Sequence, residues 1–455
     1  MAAAPPESSV LSLLSGISPR LAVKELEVVP SARLQRLYNV KVTEGPSLLL
    51  ALPPPAVIRL LRAEKSTLGT EAAVLKWLSA VARERKICSG AGSKEATSRT
   101  VETPVVKETN PQLLAGYLPA LVRHESIGGV LPVEYNLIRP PRGTPISTLS
   151  RPLDSREQWS VDFQTGQLLR RISSQVSPTR RFGIAADVLS GADSWRVAFH
   201  SLLESVLRDG EDLTIMFNYN NIRHHFERFQ HLLDAVTKPR LVVLDAGEDS
   251  NTLIHRPYES EKKSIFPKAV QPPPKLGKGV SRKPGNDGKV GQEYRIVLQD
   301  GISRKADYMI TDEPSQIPIE VTGLRQWSNC VFGDPLMATV FSKRPNLSDD
   351  FWRGFDNPLP GETTASIIED RDNAHIRMLL YECYHAVVTL VGEYYRPQTD
   401  SSRRELAARK HLGNVLARLE ELDDRGQQRR RCMSGEMSPA KRPRSGQESD
   451  EDSEP

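Results

Sequence analysis

Long apolar runs are missing from this chain of 455 residues. Nowhere do about 18 apolar residues follow one another, the length a membrane-spanning helix requires, so no membrane span is expected. The opening MAAAPPESSVLSLLSGISPRL has no basic n-region and only a short apolar patch, which argues against a secretory signal. Cysteine is scarce. Cys88, Cys330, Cys383 and Cys432 are scattered without a C-x-x-C pair, which excludes a disulfide framework, argues against structural zinc and suits a reducing compartment. Charge of one sign is also missing: 61 Lys and Arg against 57 Asp and Glu leave a net of +4, too little to name a partner. The nine histidines do not fall at ligand spacing with cysteines or acids, so neither a metal enzyme nor a Ser/His hydrolase is supported. His224 and His225 lie among charged neighbours and are expected at the surface.

At 38% hydrophobic, the chain is long enough for two or three packed units. Residues 1–28 are Ala-, Pro- and Ser-rich and read as a flexible leader with at most one helical turn. Leu37–Val42 alternates like a half-buried strand, Glu44-Gly45-Pro46-Ser47 turns it, and Leu48–Leu52 returns until Pro53-Pro54-Pro55. Thr70–Leu78 opens a helix with Val74, Trp77, Leu78 and Val81 on one face. Lys86–Asn110 reads as a loop, and Gln112–Val122 and Leu131–Ile138 as further strands. Asp154 with Glu157 forms a capping box. Helical periodicity then covers Ala198–Val206, Ile222–Leu233, Ile376–Val391 and Leu412–Leu422, while Phe351-Trp352-Arg353-Gly354-Phe355 reads as a surface turn.

Two segments stand apart. Residues 256–291 read as a flexible basic insert, with eight Lys or Arg against two Asp or Glu between 261 and 290, a net of +6. Strand character resumes at Tyr294–Leu298 and Tyr308–Thr311. Residues 426–455 read as a disordered tail, basic at Arg429-Arg430-Arg431 and Lys441-Arg442-Pro443-Arg444, then acidic. The paired basic clusters have the form of a bipartite nuclear-import signal, and Ser438, Ser449 and Ser453 suit regulatory phosphorylation. Cytoplasmic or nuclear residence follows as the expectation. Neither basic segment interleaves aromatics, so nucleic acid is not expected as a partner.

The stretch Ile319–Phe341 carries the chemistry. A β-branched strand ends at Gly323, a polar loop Arg325-Gln326-Trp327-Ser328-Asn329 follows, and Gly333-Asp334-Pro335 turns into an apolar run. It resembles the metal-binding loop of the aminoglycoside phosphotransferase-like branch of the protein-kinase-like superfamily, whose pattern is roughly I-T-G-x-I-D-W-x-x-x-x-x-G-D-P. The likeness extends over residues 30–425 and is strongest to fungal-type members. It implies a two-lobed α+β fold: a β-rich N-lobe over 29–138, a hinge at Arg139–Pro145, and a mostly helical C-lobe over 139–425.

The same resemblance implies ATP and Mg²⁺ as cofactors and phosphoryl transfer to a small-molecule hydroxyl, a reaction catalysed by positioned charge. Its parts map unevenly onto this chain. The family's phosphate-binding lysine falls on Ala51, its metal-binding acid on Gln326, and no glycine-rich loop precedes the hairpin, where Ser31-Ala32-Arg33 stand. The catalytic-loop pattern L-V-H-G-D-L-x-x-x-N matches Asp245 as candidate base and Asn251 as candidate metal ligand only with one extra residue between them. Glu71 matches the helix acid. Lys41, on the neighbouring strand, can replace the missing lysine if it reaches the phosphates and pairs with Glu71, and Glu248 with Asp249 can form an alternative metal site. Asp334 is expected to cap the Gly-Asp-Pro turn. The residues therefore imply a degenerate, pseudokinase-type member that serves as a binding or scaffolding module for a protein or small molecule, expected to be monomeric. The alternative is an active ATP-dependent phosphotransferase with relocated charges.

Overall fold

The computed structural model describes residues 7–16, 22–29, 34–90, 114–126, 131–187, 191–256, 319–343, 347–358 and 366–422. The basic insert, Tyr294–Leu298, Tyr308–Thr311, the phosphorylation candidates and the tail lie outside the described residues.

Alternation of apolar residues builds the N-lobe. Strands β1 (Val23–Val29), β2 (Arg36–Val42), β3 (Leu48–Leu52), β4 (Ala120–Glu125) and β5 (Tyr135–Arg139) form one antiparallel sheet in the order β1-β2-β3-β5-β4. Successive side chains point to opposite faces. Tyr38, Val40, Leu48, Leu50, Leu52 and Leu137 pack on the outer face, beneath Val10, Leu13 and Leu14 of helix α1 (Glu7–Ser15). Leu37, Leu49, Ala51 and Ile138 face inward, against Val74, Leu75 and Leu78 of helix α2 (Thr67–Gly90) and the C-lobe core. The expected flexible leader thus contains a helix and a strand, because the sheet's outer face supplies an apolar floor that no local signal announces. Helix α2 likewise extends through Lys86–Gly90, where a loop was expected.

The C-lobe carries two small sheets. Strands β6 (Thr144–Pro145), β9 (Thr252–His255) and β10 (Glu320–Leu324) run in the order β10-β9-β6, and β7 (Gly183–Ile184), β8 (Arg240–Val243) and β11 (Cys330–Gly333) in the order β7-β11-β8. Around them pack α3 (Ser155–Ser173), α4 (Trp195–Asp212), α5 (Tyr219–Phe229), α6 (Thr339–Lys343), α7 (Asp349–Asp356), α8 (Ala374–Tyr395) and α9 (Ser401–Glu420). The capping box at Asp154 is present, its carboxylate accepting from the Glu157 N–H. Phe351–Phe355 is a helix rather than a surface turn, with Phe351 and Phe355 buried. Two glycines explain its position. A Cβ on Gly166 of α3 would meet Phe351 O at 2.2 Å, and one on Gly354 of α7 would meet Phe163 O at 2.0 Å. The two backbones touch only because both side chains are absent.

A five-stranded N-lobe with a helix between its third and fourth strands, joined to a helical C-lobe, is the two-lobed α+β architecture expected from the resemblance. One apolar cluster runs from the underside of the N-lobe sheet into the C-lobe. Among the described residues no helix is long and apolar enough to cross a membrane.

Candidate functional site

The strand register decides what stands where a phosphate-binding lysine would. Ala51 on β3 is buried and pairs with Asn136 on β5, so both side chains share the inner face. The Asn136 amide donates to Glu71 Oε2 at 2.9 Å and to the Leu68 carbonyl at 3.0 Å, and its oxygen lies 2.7 Å from His124 Nδ1. Glu71 Oε1 accepts from the Trp327 backbone N–H at 2.9 Å. On this face the neutral Asn136 amide, from the strand beside Ala51, meets the Glu71 carboxylate. Through Glu71, the N-lobe helix α2 is fastened to the loop between β10 and β11.

Lys41 does not replace the lysine. Its Nζ lies 2.8 Å from both Glu25 Oε2 and Glu27 Oε1, on the first two strands, and not beside Glu71. The two carboxylates, Glu25 first, hold the Lys41 ammonium above its usual pKa, while Lys41 lowers that of Glu27. The expected Lys41–Glu71 pair is absent: Lys41 stands opposite Glu25 in the β1–β2 register, and the two β1 carboxylates take its ammonium.

Asn251 and Gln326, the positions the resemblance matches to metal ligands, hydrogen-bond to each other. Asn251 Nδ2 donates to the Gln326 carbonyl at 3.1 Å and its Oδ1 accepts from the Gln326 N–H at 2.9 Å. The Gln326 side chain donates to Gln35 Oε1 at 3.3 Å, and all three residues are buried. Magnesium prefers hard anionic oxygens at short range. A neutral Gln326 turned to Gln35, and an Asn251 oxygen already engaged, do not fit that ion. Among the described residues no three His, Cys, Asp or Glu side chains converge to hold a metal. Glu248 Oε1 accepts from Thr339 Oγ1 at 2.6 Å and the Asp249 backbone carbonyl accepts from Ser147 N–H at 2.9 Å, and among the described residues no third His, Cys, Asp or Glu joins the two acids.

Asp245 follows β8 in a tight turn closed by Ala246 N–H to Val243 O and Glu248 N–H to Asp245 O. Gly247, at φ +84°, supplies the left-handed step that absorbs the extra residue before Asn251. Asp245 is buried at 4% exposure and lines a cavity of about 470 Å³ with Gln35, Glu64, Asp209, Glu248 and Glu393. Tyr384 on its wall has its phenol pKa raised by burial, then by Glu64 and Asp209. Arg396, paired with Glu64, and His385 also line the cavity, which is predominantly acidic with apolar wall from Leu60, Leu61, Val206 and Val388.

Asp334 caps its turn as expected, Oδ1 accepting from Leu336 N–H, and Oδ2 receives Arg377 Nε at 2.8 Å and Tyr381 OH at 2.9 Å. Burial works against the Arg377 charge, but Asp334, Tyr381 and Asp370 outweigh it and raise its pKa. Sequence reasoning missed Gln35, Asn136 and Arg377. An asparagine inside the apolar run Tyr135–Ile138 was the one available signal for a buried polar contact.

No protein-family model matches the chain, and no curated protein sequence matches it. Some solved structures align with it over most of their length. A protein provisionally designated fructosamine-3-kinase from Haemophilus somnus 129PT aligns at a TM-score of 0.46 and 12% identity, covering 90% of this chain and 97% of its own. The GDP complex of aminoglycoside 2'-phosphotransferase-IIIa aligns at 0.43 and 12%, covering 91% and 99%. A second provisional fructosamine-3-kinase, from Thermobifida fusca YX-ER1, aligns at 0.43 and 13%, covering 88% and 99%. The likeness is remote, and the activities those names state belong to those proteins.

Proposed function

We propose that this chain is a catalytically silent kinase-like protein that works as a binding or scaffolding module. One observation carries the reading. Where a phosphotransferase needs a cation and an anionic metal ligand, Ala51 and Gln326 stand, and the neighbouring polar groups are satisfied by each other: Glu71 by Asn136 and Trp327 N–H, Asn251 by the Gln326 backbone. Removing one charge-stabilising group costs on the order of 3 kcal/mol of transition-state stabilisation. Loss of two leaves little useful rate. The acid-lined cavity beside Asp245 is the place for a small molecule or a partner's side chain.

The test is turnover. ATP consumption with Mg²⁺ and hydroxyl-bearing acceptors is expected to match the buffer background in the wild-type chain and in Asp245→Asn alike. A rate above background that disappears in Asp245→Asn would establish Asp245 as a working base and overturn the proposal.

A further inference from the structure

The linker between β3 and α2 does not stay with the N-lobe. Residues 53–66 cross to the C-lobe and form one wall of the cavity, to which Pro54, Leu60, Leu61, Ala63 and Glu64 contribute. Ser205, Val206 and Asp209 of α4, residues of α8 from Tyr384 to Glu393, and Arg396 just past its end stand opposite. On the linker's outer side lies a second groove, of about 400 Å³, lined by Arg59, Arg62, Lys65, Asp212 and Tyr395. Leu60 and Asp209 border both spaces, so the linker is a single layer between cavity and solvent.

What holds this layer down is charge. Of residues 53–67 only Leu61 is buried. Arg62 donates through its backbone N–H to Asp209 Oδ2 at 2.9 Å, and its guanidinium reaches Asp209 and, at 2.8 Å, Asp212. Arg396 grips Glu64 with both nitrogens, at 2.8 and 2.9 Å, and donates to the Arg59 carbonyl at 3.1 Å. Arg59 lies over the Tyr395 ring, 5.0 Å from its centre. A segment with one apolar anchor and several ion pairs opens locally at far lower cost than the lobes it joins. Pro53-Pro54-Pro55 stiffens its start.

We infer that residues 53–66 are a charge-latched strap that closes the acidic cavity beside Asp245, and that release of Arg62 and Arg396 from their carboxylates opens it. The device operates whether or not the chain transfers phosphate.

Ser205→Cys places a thiol on the cavity floor for iodoacetamide, with labelling read peptide by peptide so that Cys88, Cys330, Cys383 and Cys432 are followed separately. Combining it with Arg396→Ala or Arg62→Ala is expected to raise the labelling rate roughly tenfold. Amide exchange across 53–66 rises in parallel. Molar salt, which screens exposed charges, accelerates the parent and adds little to the double variants. Cys330 and Cys383, buried in the C-lobe, keep their rates. Arg396→Lys keeps the charge but loses the two-point grip, and gives an intermediate rate even if an alanine variant folds poorly. Equal labelling of the introduced thiol in all these proteins overturns the strap, and so does an acceleration shared by Cys383.

Discussion

Replacing Glu71 by alanine separates a structural latch from a remnant of catalytic wiring. The carboxylate is 1% exposed and accepts from Asn136 Nδ2 and Trp327 N–H, each at 2.9 Å. A hydrogen bond to a charged acceptor contributes about 1.5–3 kcal/mol, and the stranded N–H and amide would stay buried. Glu71→Ala is therefore expected to cost about 3–5 kcal/mol. Asn136→Ala removes the same bond together with those to Leu68 O and His124, at about 2–4 kcal/mol. Because the two share one contact, the double variant should lose at least about 1.5 kcal/mol less than the sum of the singles. Urea unfolding followed by far-UV circular dichroism measures all four corners of this cycle. Additivity within about 0.5 kcal/mol, or a Glu71→Ala cost below about 1 kcal/mol, would refute the latch.

Two further perturbations probe the buried polar groups. Asn251→Asp turns a donor into a carboxylate facing the Gln326 carbonyl, now 3.1 Å from Nδ2, and should cost about 2–4 kcal/mol. Millimolar Mg²⁺ should not recover it in a thermal melt, whereas a metal-ligand role would show as a Mg²⁺-dependent rise. His225, expected at the surface, is 1% exposed at the α5–α9 contact, with Arg228 Nη1 3.3 Å from Nδ1 and Glu420 3.5 Å from Nε2. Burial first, then Arg228, lowers its pKa, with Glu420 opposing. The folded state thus binds this proton less readily than the unfolded chain, so stability is present above the unfolded value of 6.5 and falls as pH drops through it. His225→Gln should flatten that acid limb in a series of melts from neutral to mildly acid pH. An unchanged slope would remove His225 from it.

Local rules made much of this fold legible before any coordinates. Alternation at Leu37–Val42 and Leu48–Leu52, the 3.6-residue period of Ile376–Val391 and the cap at Asp154 each have a short-range cause, and each element is present. What escaped depends on partners distant in sequence. Val10, Leu13 and Leu14 form a helix face that is stable only over Tyr38, Val40 and Leu50. Phe351–Phe355 buries its aromatic face in a helix whose close approach to α3 needs Gly166 and Gly354. The site divides the same way. Ala51 and Gln326 could be matched to charged family positions from the sequence, but Asn136 and Gln35 are 85 and 291 residues from the residues they meet, and hydrogen bonds across such distances leave no pattern in a single sequence.

On the proposed reading, the positions matched to the phosphate-binding lysine and the metal ligands are taken up by hydrogen bonds among this chain's own groups: Glu71 with Asn136 and Trp327 N–H, and Asn251 with the Gln326 backbone. A thermal melt of the full chain with and without saturating ATP and Mg²⁺ tests it most directly. The account predicts superimposable curves. A ligand at a hundred-fold excess over its dissociation constant adds about 2.7 kcal/mol of stability, so a clear Mg²⁺-dependent upward shift with ATP would contradict it.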